Sequence, residues 1–190
     1  SSDVCSSDLV EAMVYPTTST LGDMIGNYST ASAGNLQILL RQNYLSYYEF
    51  WVGNGNNWYV TTSSATPTLN VWQHVAGTWD GATAKIYVNG VLSGSSNPGI
   101  STLGNANGNP VWLAGQSAGS EWYQGNLDEV RIWNRALCQS EIQNNRTGEL
   151  SLPQSSLVAY YKFNQGVGGS ANSTVTTATD ASGSNTGTLT

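Results

Sequence analysis

Charged residues are scarce in this chain: they make up 9% of its 190 residues, and only six of them are lysine or arginine. The net charge is −6, and no basic patch occurs, so the chain lacks the electrostatic footprint of a nucleic-acid-binding protein. It also lacks any run of about 18 apolar residues, so no membrane span is predicted. A helical bundle is disfavoured because it would need more of the strong helix formers.

Turn-forming and aromatic residues dominate instead. Gly, Ser, Thr and Asn are abundant, and the chain contains 7 Trp and 10 Tyr. Aromatic residues favour strands, and the small polar residues favour the turns between them. This composition is typical of an extracellular all-β protein, and the length suffices for one β-sandwich domain with its own core.

Two segments carry the clearest local signals. Trp72–Leu92 contains two tight turns, Asp80-Gly81 and Asn89-Gly90, and both dipeptides are strong hairpin signals because they tolerate positive φ. Leu127–Trp133 is predicted to be a strand that leads into a short helix near residues 138–145. The two stretches, WQHVAGTWDGATAKIYVNGVL and GNLDEVRIWNRAL, resemble the laminin-G-like family of concanavalin A-like jelly rolls, in its pentraxin-related branch. The resemblance implies an all-β fold, a jelly-roll β-sandwich of two antiparallel sheets, and a family made up mostly of binding modules.

The resemblance also suggests how the chain is divided. Residues 1–9, SSDVCSSDL, match the translation of a common sequencing adapter, with a natural Ser-rich loop as the alternative. Residues 10–164 are then a jelly-roll domain truncated at its N-terminus, since VEAMVYP resembles a strand that is not the first in the family. Residues 165–190 are either a low-complexity tail or the start of a truncated following copy. If residues 1–9 are foreign, Cys138 is a lone thiol, and no disulfide is expected.

Catalytic residues are not evident. Retaining glycosidases on related sandwiches need two carboxylates on one strand face, about 5–5.5 Å apart. The closest acidic pair here is Asp128-Glu129, and neighbouring strand residues point to opposite faces. His74, the single histidine, is expected to be structural, and Cys138 to be a structural or orphaned thiol rather than a nucleophile. We therefore predict that this chain is not an enzyme.

Calcium is the one cofactor that the resemblance raises. Pentraxin-type lectins carry amide and acidic ligands in the loop that corresponds to residues 116–121. Gln116 fits the amide, but Ser117, Ala118 and Gly119 stand where acids are required, and calcium prefers several carboxylates among six to eight oxygens. The two-calcium ligand site is therefore expected to be absent. A single structural calcium, held by backbone carbonyls with Asp128, Asp23 or Asp180, stays open.

Carbohydrate is the expected ligand class. Jelly-roll lectins stack sugar rings on exposed aromatic side chains and bind hydroxyls through polar groups that fix orientation. The candidates next to predicted loops are Trp58, Tyr59, Trp122 and Tyr123, with Gln116 in the loop before Trp122, while Tyr47 and Tyr48 lie on an aromatic strand. Trp72, Trp79 and Trp133 belong to the family's framework motifs and are expected in the core.

Three functions remain open at this point. The first is a non-catalytic extracellular or cell-surface recognition module for a glycan or a protein surface, within a larger parent chain. The second is a structural spacer in a multidomain adhesin. The third, part of a glycoside hydrolase, has the least support. Clustering of Trp58, Tyr59, Trp122 and Tyr123 on one open face would favour recognition over the spacer.

Overall fold

Two packed antiparallel sheets form the fold, as the computed structural model shows for residues 8–27, 37–104, 110–115, 121–167, 172–183 and 185–189. These residues contain thirteen strands and one helix. The elements are β1 (Leu9–Pro16), β2 (Gly22–Gly26), β3 (Ile38–Gln42), β4 (Tyr48–Gly53), β5 (Trp58–Thr62), β6 (Gln73–Trp79), β7 (Ala84–Val88), β8 (Val91–Ser96), β9 (Trp112–Leu113), β10 (Gly125–Trp133), α1 (Gln139–Asn145), β11 (Leu157–Tyr161), β12 (Thr177–Ala178) and β13 (Gly187–Thr188).

The strand order confirms the predicted jelly-roll β-sandwich. One sheet has six strands in the order β11-β10-β1-β6-β7-β8, and the other has five in the order β5-β4-β3-β2-β9. The predicted turns at Asp80-Gly81 and Asn89-Gly90 connect β6 to β7 and β7 to β8.

The main core lies between the two sheets and follows from strand alternation. Val10, Ala12 and Val14 of β1 point inward and meet residues such as Phe50 of β4. The sheets approach most closely at Gly77 of β6, where an added Cβ would lie 2.1 Å from the Phe50 ring. Glycine is therefore required at this position by close packing of one sheet on the other.

A second apolar cluster covers the outward side of the six-stranded sheet. Its buried members are Leu9, Ala76, Tyr87, Trp133, Leu137 and Ile142. Ile142 is the buried residue of α1, which begins after Cys138 and is stabilised at its N-terminus by Glu141. The Glu141 carboxylate accepts the Cys138 N–H at 2.8 Å and pairs with Arg135. The predicted short helix thus covers part of the outward side of this sheet.

The C-terminal part of the chain is also folded. Strand β11 pairs with β10 at the edge of the six-stranded sheet, so residues 157–161 complete the sheet of this domain. The β12–β13 hairpin docks beside it through Asp180, whose carboxylate accepts the Tyr160 N–H at 2.9 Å, and through Ala178, which joins the core. The described residues of the predicted low-complexity tail therefore pack on the domain.

Two placements differ from expectation. Trp79 and Trp133 are buried as predicted, whereas Trp72 is 43% exposed, because it precedes β6 and stacks on Tyr15 at the outer surface. Leu9, assigned to the adapter segment, is fully buried in β1 opposite Trp133. Residues 1–7 lie outside the described residues, so the origin of that segment stays a prediction.

Candidate functional site

The outward side of the five-stranded sheet carries an aromatic and charged surface. On β3 and β4 the core residues alternate with Leu39, Arg41, Glu49 and Trp51, which therefore point away from the core. Trp58 at the start of β5 lies on the same side, because its neighbour Tyr59 packs into the core. We call this set of five residues (Leu39, Arg41, Glu49, Trp51 and Trp58) the tryptophan face.

The two tryptophans are held at fixed positions. Their ring centroids are 5.5 Å apart with an interplanar angle of 84°, an edge-to-face arrangement, and both rings pack on buried Leu39. The Arg41 guanidinium lies 4.3 Å from the Trp51 ring centroid. Trp51 Nε1 also donates to Glu49 at 2.8 Å, which fixes the orientation of the indole. Trp51 therefore contacts Trp58 on one side and Arg41 on the other.

Glu49 is the polar centre of the tryptophan face. Its carboxylate accepts hydrogen bonds from Arg41 Nε at 2.9 Å, Asn43 Nδ2 at 2.7 Å and Trp51. Burial alone would raise the pKa of Glu49, but these three donors outweigh burial and hold the pKa below its ordinary value. Glu49 is therefore ionised at neutral pH and fixes Arg41 through Nε. Arg41 Nη1 lies 3.9 Å from Glu121 Oε2, so the guanidinium is positioned between two carboxylates.

Trp122 marks the opposite edge of the same sheet. Trp122 pairs through its backbone with Asp23 of β2, and Asp23 pairs on its other side with Arg41 of β3. The Trp122 ring rests on Gly115, where an added Cβ would lie 2.3 Å from the ring, and the side chain is 49% exposed. Strand β2 is three spacings from β5, and Trp122 lies one position beyond β2, so about four spacings, or roughly 19 Å, separate the strand positions of Trp58 and Trp122.

Strand alternation divides the predicted sugar candidates into two groups. Trp58 and Trp122 face outward, whereas Tyr59 packs against the core and Tyr123 is buried in it. Burial raises the pKa of Tyr123 and keeps its hydroxyl protonated. The four aromatic residues do not form one open cluster, and by the criterion given for the sequence this arrangement favours the spacer over recognition by these four residues. Gln116 lies outside the described residues.

The three aspartates proposed for calcium lie apart. Asp23 is buried in the five-stranded sheet, Asp128 lies on β10, and Asp180 belongs to the C-terminal hairpin. Among the described residues, no three His, Cys, Asp or Glu side chains form a group that could hold a metal ion. Burial would raise the pKa of Asp180, but hydrogen bonds from Tyr160, Ser182 and Asn185 hold it below its usual value. Asp180 thus has a structural role, and calcium binding stays a prediction.

The acidic pair on β10 departs from simple strand alternation. Strand β10 has one extra residue opposite β1, and Glu129 there has a φ of +51°. The Glu129 carboxylate accepts hydrogen bonds from Arg131 and Tyr160. His74 is buried beside Glu11, with 3.2 Å between His74 Nε2 and the nearer carboxylate oxygen. Cys138 precedes α1, and its N–H donates to the Glu141 carboxylate.

Sequence reasoning identified Trp58 alone and missed the other four members of the tryptophan face. Trp51, Arg41 and Glu49 come together because Arg41 and Glu49 are directly opposite in the β3–β4 register and Trp51 follows on the same side. The alternation of residues 48–52 is visible in the sequence, but the cross-strand partner of each is not.

Comparisons with known proteins identify the fold from an independent direction. The sequence profile of the Laminin_G_3 family, described as the concanavalin A-like lectin/glucanases superfamily, matches residues 9–143. Among curated proteins, no sequence matches the chain. No helix in the described parts of the chain is long and apolar enough to cross a membrane.

Three solved structures illustrate the similarity. A candidate carbohydrate-binding protein from Bacteroides ovatus ATCC 8483 is 22% identical with a TM-score of 0.72; the match covers 98% of this chain and 52% of that one, so this chain spans about half its length. A heptameric SAP-like pentraxin from Limulus polyphemus is 17% identical with a TM-score of 0.56, and the match covers 73% of this chain and 69% of the pentraxin chain. The third structure is Domain 4 of AbnA, a GH43 extracellular arabinanase from Geobacillus stearothermophilus, solved with arabinotriose. It is 21% identical with a TM-score of 0.55, and the match covers 74% of this chain and 66% of the arabinanase domain chain.

Proposed function

Since the chain belongs to the concanavalin A-like lectin/glucanases superfamily, we propose that it is a non-catalytic carbohydrate-recognition module of a larger extracellular or cell-surface protein. The observation that carries the proposal is the tryptophan face, where Trp58 is held by Trp51 beside the Arg41–Glu49 pair. Such a surface offers an apolar ring for stacking and oriented donors for hydroxyl groups, which together suit a neutral oligosaccharide.

The binding proposal is favoured over a catalytic one by the state of the carboxylates. Glu49 is occupied by three donors, and Glu129 accepts hydrogen bonds from Arg131 and Tyr160. A general acid or nucleophile must instead reach the scissile bond of the substrate. Two of the similar structures are a candidate carbohydrate-binding protein and a domain solved with arabinotriose, which supports a glycan as the partner.

The test is isothermal titration calorimetry of the whole chain against a panel of neutral oligosaccharides that includes arabinotriose. We expect Trp58→Ala to weaken binding at least about tenfold, which corresponds to about 1.4 kcal/mol. The matched control is Tyr44→Ala, which removes an aromatic side chain that is 72% exposed in the β3–β4 turn. Equal losses in both variants would contradict a specific role for Trp58.

A spacer without a small ligand is the alternative function. It predicts no binding to any oligosaccharide by a sample that is folded by circular dichroism. The same titrations in calcium and in EDTA separate a metal-dependent site from an aromatic platform. Loss of binding in EDTA would place the site in a calcium loop and would contradict the tryptophan face as the platform.

A further inference from the structure

A second concavity lies on the outward side of the six-stranded sheet. It forms where residues 146–148, which follow α1, pass over β1, β6 and β10. The cleft has a volume of about 430 Å³ and opens to solvent, and its lining includes Trp72, His74, Asn89, Glu129 and Arg146. This volume lies in the range of small-molecule pockets, roughly 300–1,000 Å³.

His74 gives this cleft an unmet hydrogen-bonding requirement. The side chain is 2% exposed, yet neither ring nitrogen makes a hydrogen bond to any described residue; Nε2 lies 3.2 Å from the Glu11 carboxylate without hydrogen-bond geometry. Buried polar groups are almost always hydrogen-bonded, and an unmade bond costs about 1–3 kcal/mol. A ligand in the cleft could supply the missing partner.

The position of His74 is fixed by its backbone. The His74 N–H donates to Asn89 Oδ1 at 2.9 Å, and the His74 carbonyl accepts the Asn89 N–H at 2.7 Å. Because the amide oxygen of Asn89 is occupied in this way, its NH₂ group is the part that can serve a ligand. The β7–β8 turn therefore places an imidazole and an amide donor in one cleft.

The charge of the cleft argues for an uncharged ligand. Of the six basic residues, Arg41, Lys85, Arg131, Arg135 and Lys162 form ion pairs with carboxylates. For Arg146, which lines the cleft, no ion pair exists with any residue that the structure describes. Glu129, also in the lining, is paired with Arg131, and Glu11 lies next to His74 and Arg131. Two cations, Arg131 and Arg146, thus stand against two carboxylates, Glu11 and Glu129, and neither sign dominates.

Trp72 supplies an apolar wall. Its ring centroid is 5.5 Å from that of Tyr15, with an interplanar angle of 54°, and this contact holds the exposed indole at the rim. We propose that the cleft is a second saccharide site, in which a neutral sugar ring packs against Trp72 while His74, Asn89 and Arg146 contact its hydroxyl groups. This site lies on the opposite sheet from the tryptophan face and is independent of it.

The single histidine makes the test direct. Because His74 is the only histidine of the chain, the ring resonances of one imidazole report on the cleft without assignment of other signals. The probes are the methyl glycosides of glucose, galactose and arabinose, with glucuronate as a charged comparison, at constant pH. Titration to about 50 mM would saturate a site with a dissociation constant of about 1 mM, or roughly 4 kcal/mol of binding free energy.

We expect a saturable shift of the His74 resonances with at least one neutral glycoside. Trp72→Ala should weaken this response at least about fivefold, by loss of the stacking surface. The matched control, Tyr44→Ala, removes an aromatic side chain that is 72% exposed between β3 and β4 of the other sheet and should leave the response unchanged. Because the readout is local to His74, it can succeed or fail whatever the calorimetry shows for the tryptophan face.

Three results would overturn the proposal. No shift with any neutral glycoside would mean that the cleft binds no sugar. A stronger response to glucuronate than to every neutral glycoside would mean that its ligand is anionic. An equal effect of Trp72→Ala and Tyr44→Ala would mean that Trp72 has no specific role in the response.

Discussion

Arg131 is predicted to be the most sensitive residue of the outward side of the six-stranded sheet. It is fully buried, donates to the Glu129 carboxylate and to the carbonyls of Asn145 and Gly148, and lies 3.7 Å from the Glu11 carboxylate. Burial would lower the pKa of Arg131, but attraction to Glu11 and hydrogen bonds with Tyr160 and Glu129 hold the pKa above its usual value. One guanidinium therefore ties β10 and β1 to the segment after α1.

The loss of folding free energy on removal of this guanidinium can be estimated from the buried groups that lose their partner. In Arg131→Met, two buried carboxylates lose their cation and two carbonyls lose a donor. Breaking a buried ion pair from one side costs about 3–5 kcal/mol, and each orphaned acceptor adds to this without strict additivity. Against a typical stability of about 5–15 kcal/mol, a loss of at least about 4 kcal/mol would leave the variant barely folded.

The assay is urea unfolding followed by tryptophan fluorescence, in which the buried Trp133, hydrogen-bonded to Glu11 at 3.0 Å, reports on the site. The matched control is Arg135→Met, which removes a partly exposed ion pair with Glu141 and should cost about 1 kcal/mol or less. Adding Glu129→Gln to Arg131→Met should recover part of the loss, because one unpaired charge disappears. Similar losses in Arg131→Met and Arg135→Met would refute the reasoning.

Three further outcomes test separate parts of the structure. Glu49→Gln should reduce the loss of folding stability that occurs below about pH 4.5. The pKa of Glu49 is lower in the folded protein than its ordinary value of 4.5, so the ionised carboxylate stabilises the fold above pH 4.5, and this stabilisation is lost as the pH falls through the folded pKa. Urea unfolding at several pH values measures the difference between the two proteins. Gly115→Ala should displace Trp122 and weaken oligosaccharide binding in calorimetry, with the far-ultraviolet circular dichroism unchanged; unaltered affinity would exclude Trp122 from the site. Asp180→Ala should free the β12–β13 hairpin, because four hydrogen bonds to its carboxylate are lost, and limited proteolysis near residues 172–189 should then become faster; an unchanged rate would argue against this anchor.

Local signals account for the parts of the fold that could be predicted. Alternation predicted the strand over Leu127–Trp133, which lies within β10 (Gly125–Trp133), and turn residues located both turns that flank β7. The same local logic failed at Trp72, where the motif indicated a core residue but the position precedes the strand. It also missed the extra residue on β10 at Glu129, because a bulge is defined only by the partner strand.

The candidate site was predictable only in part, since it depends on register. Trp58 and Trp122 were identified because aromatic residues beside polar turns favour exposed positions. Their neighbours Tyr59 and Tyr123 were grouped with them, although strand alternation sends adjacent side chains to opposite sides. The Arg41–Glu49 pair depends on which residues face each other across β3 and β4, and the sequence does not contain that information.

The use of charge within the fold constrains the kind of partner that the chain can recognise. Five of the six basic side chains form ion pairs with carboxylates of the same chain, and the remaining one, Arg146, lines the cleft without an ion pair to any residue that the structure describes. With a net charge of −6, the protein has no long-range attraction for an anionic ligand. Recognition must then rely on stacking and hydrogen bonds, which salt screens weakly compared with exposed charge pairs. Oligosaccharide affinity should therefore change little between low and high ionic strength in calorimetry, and a steep decline with salt would instead identify an ionic partner.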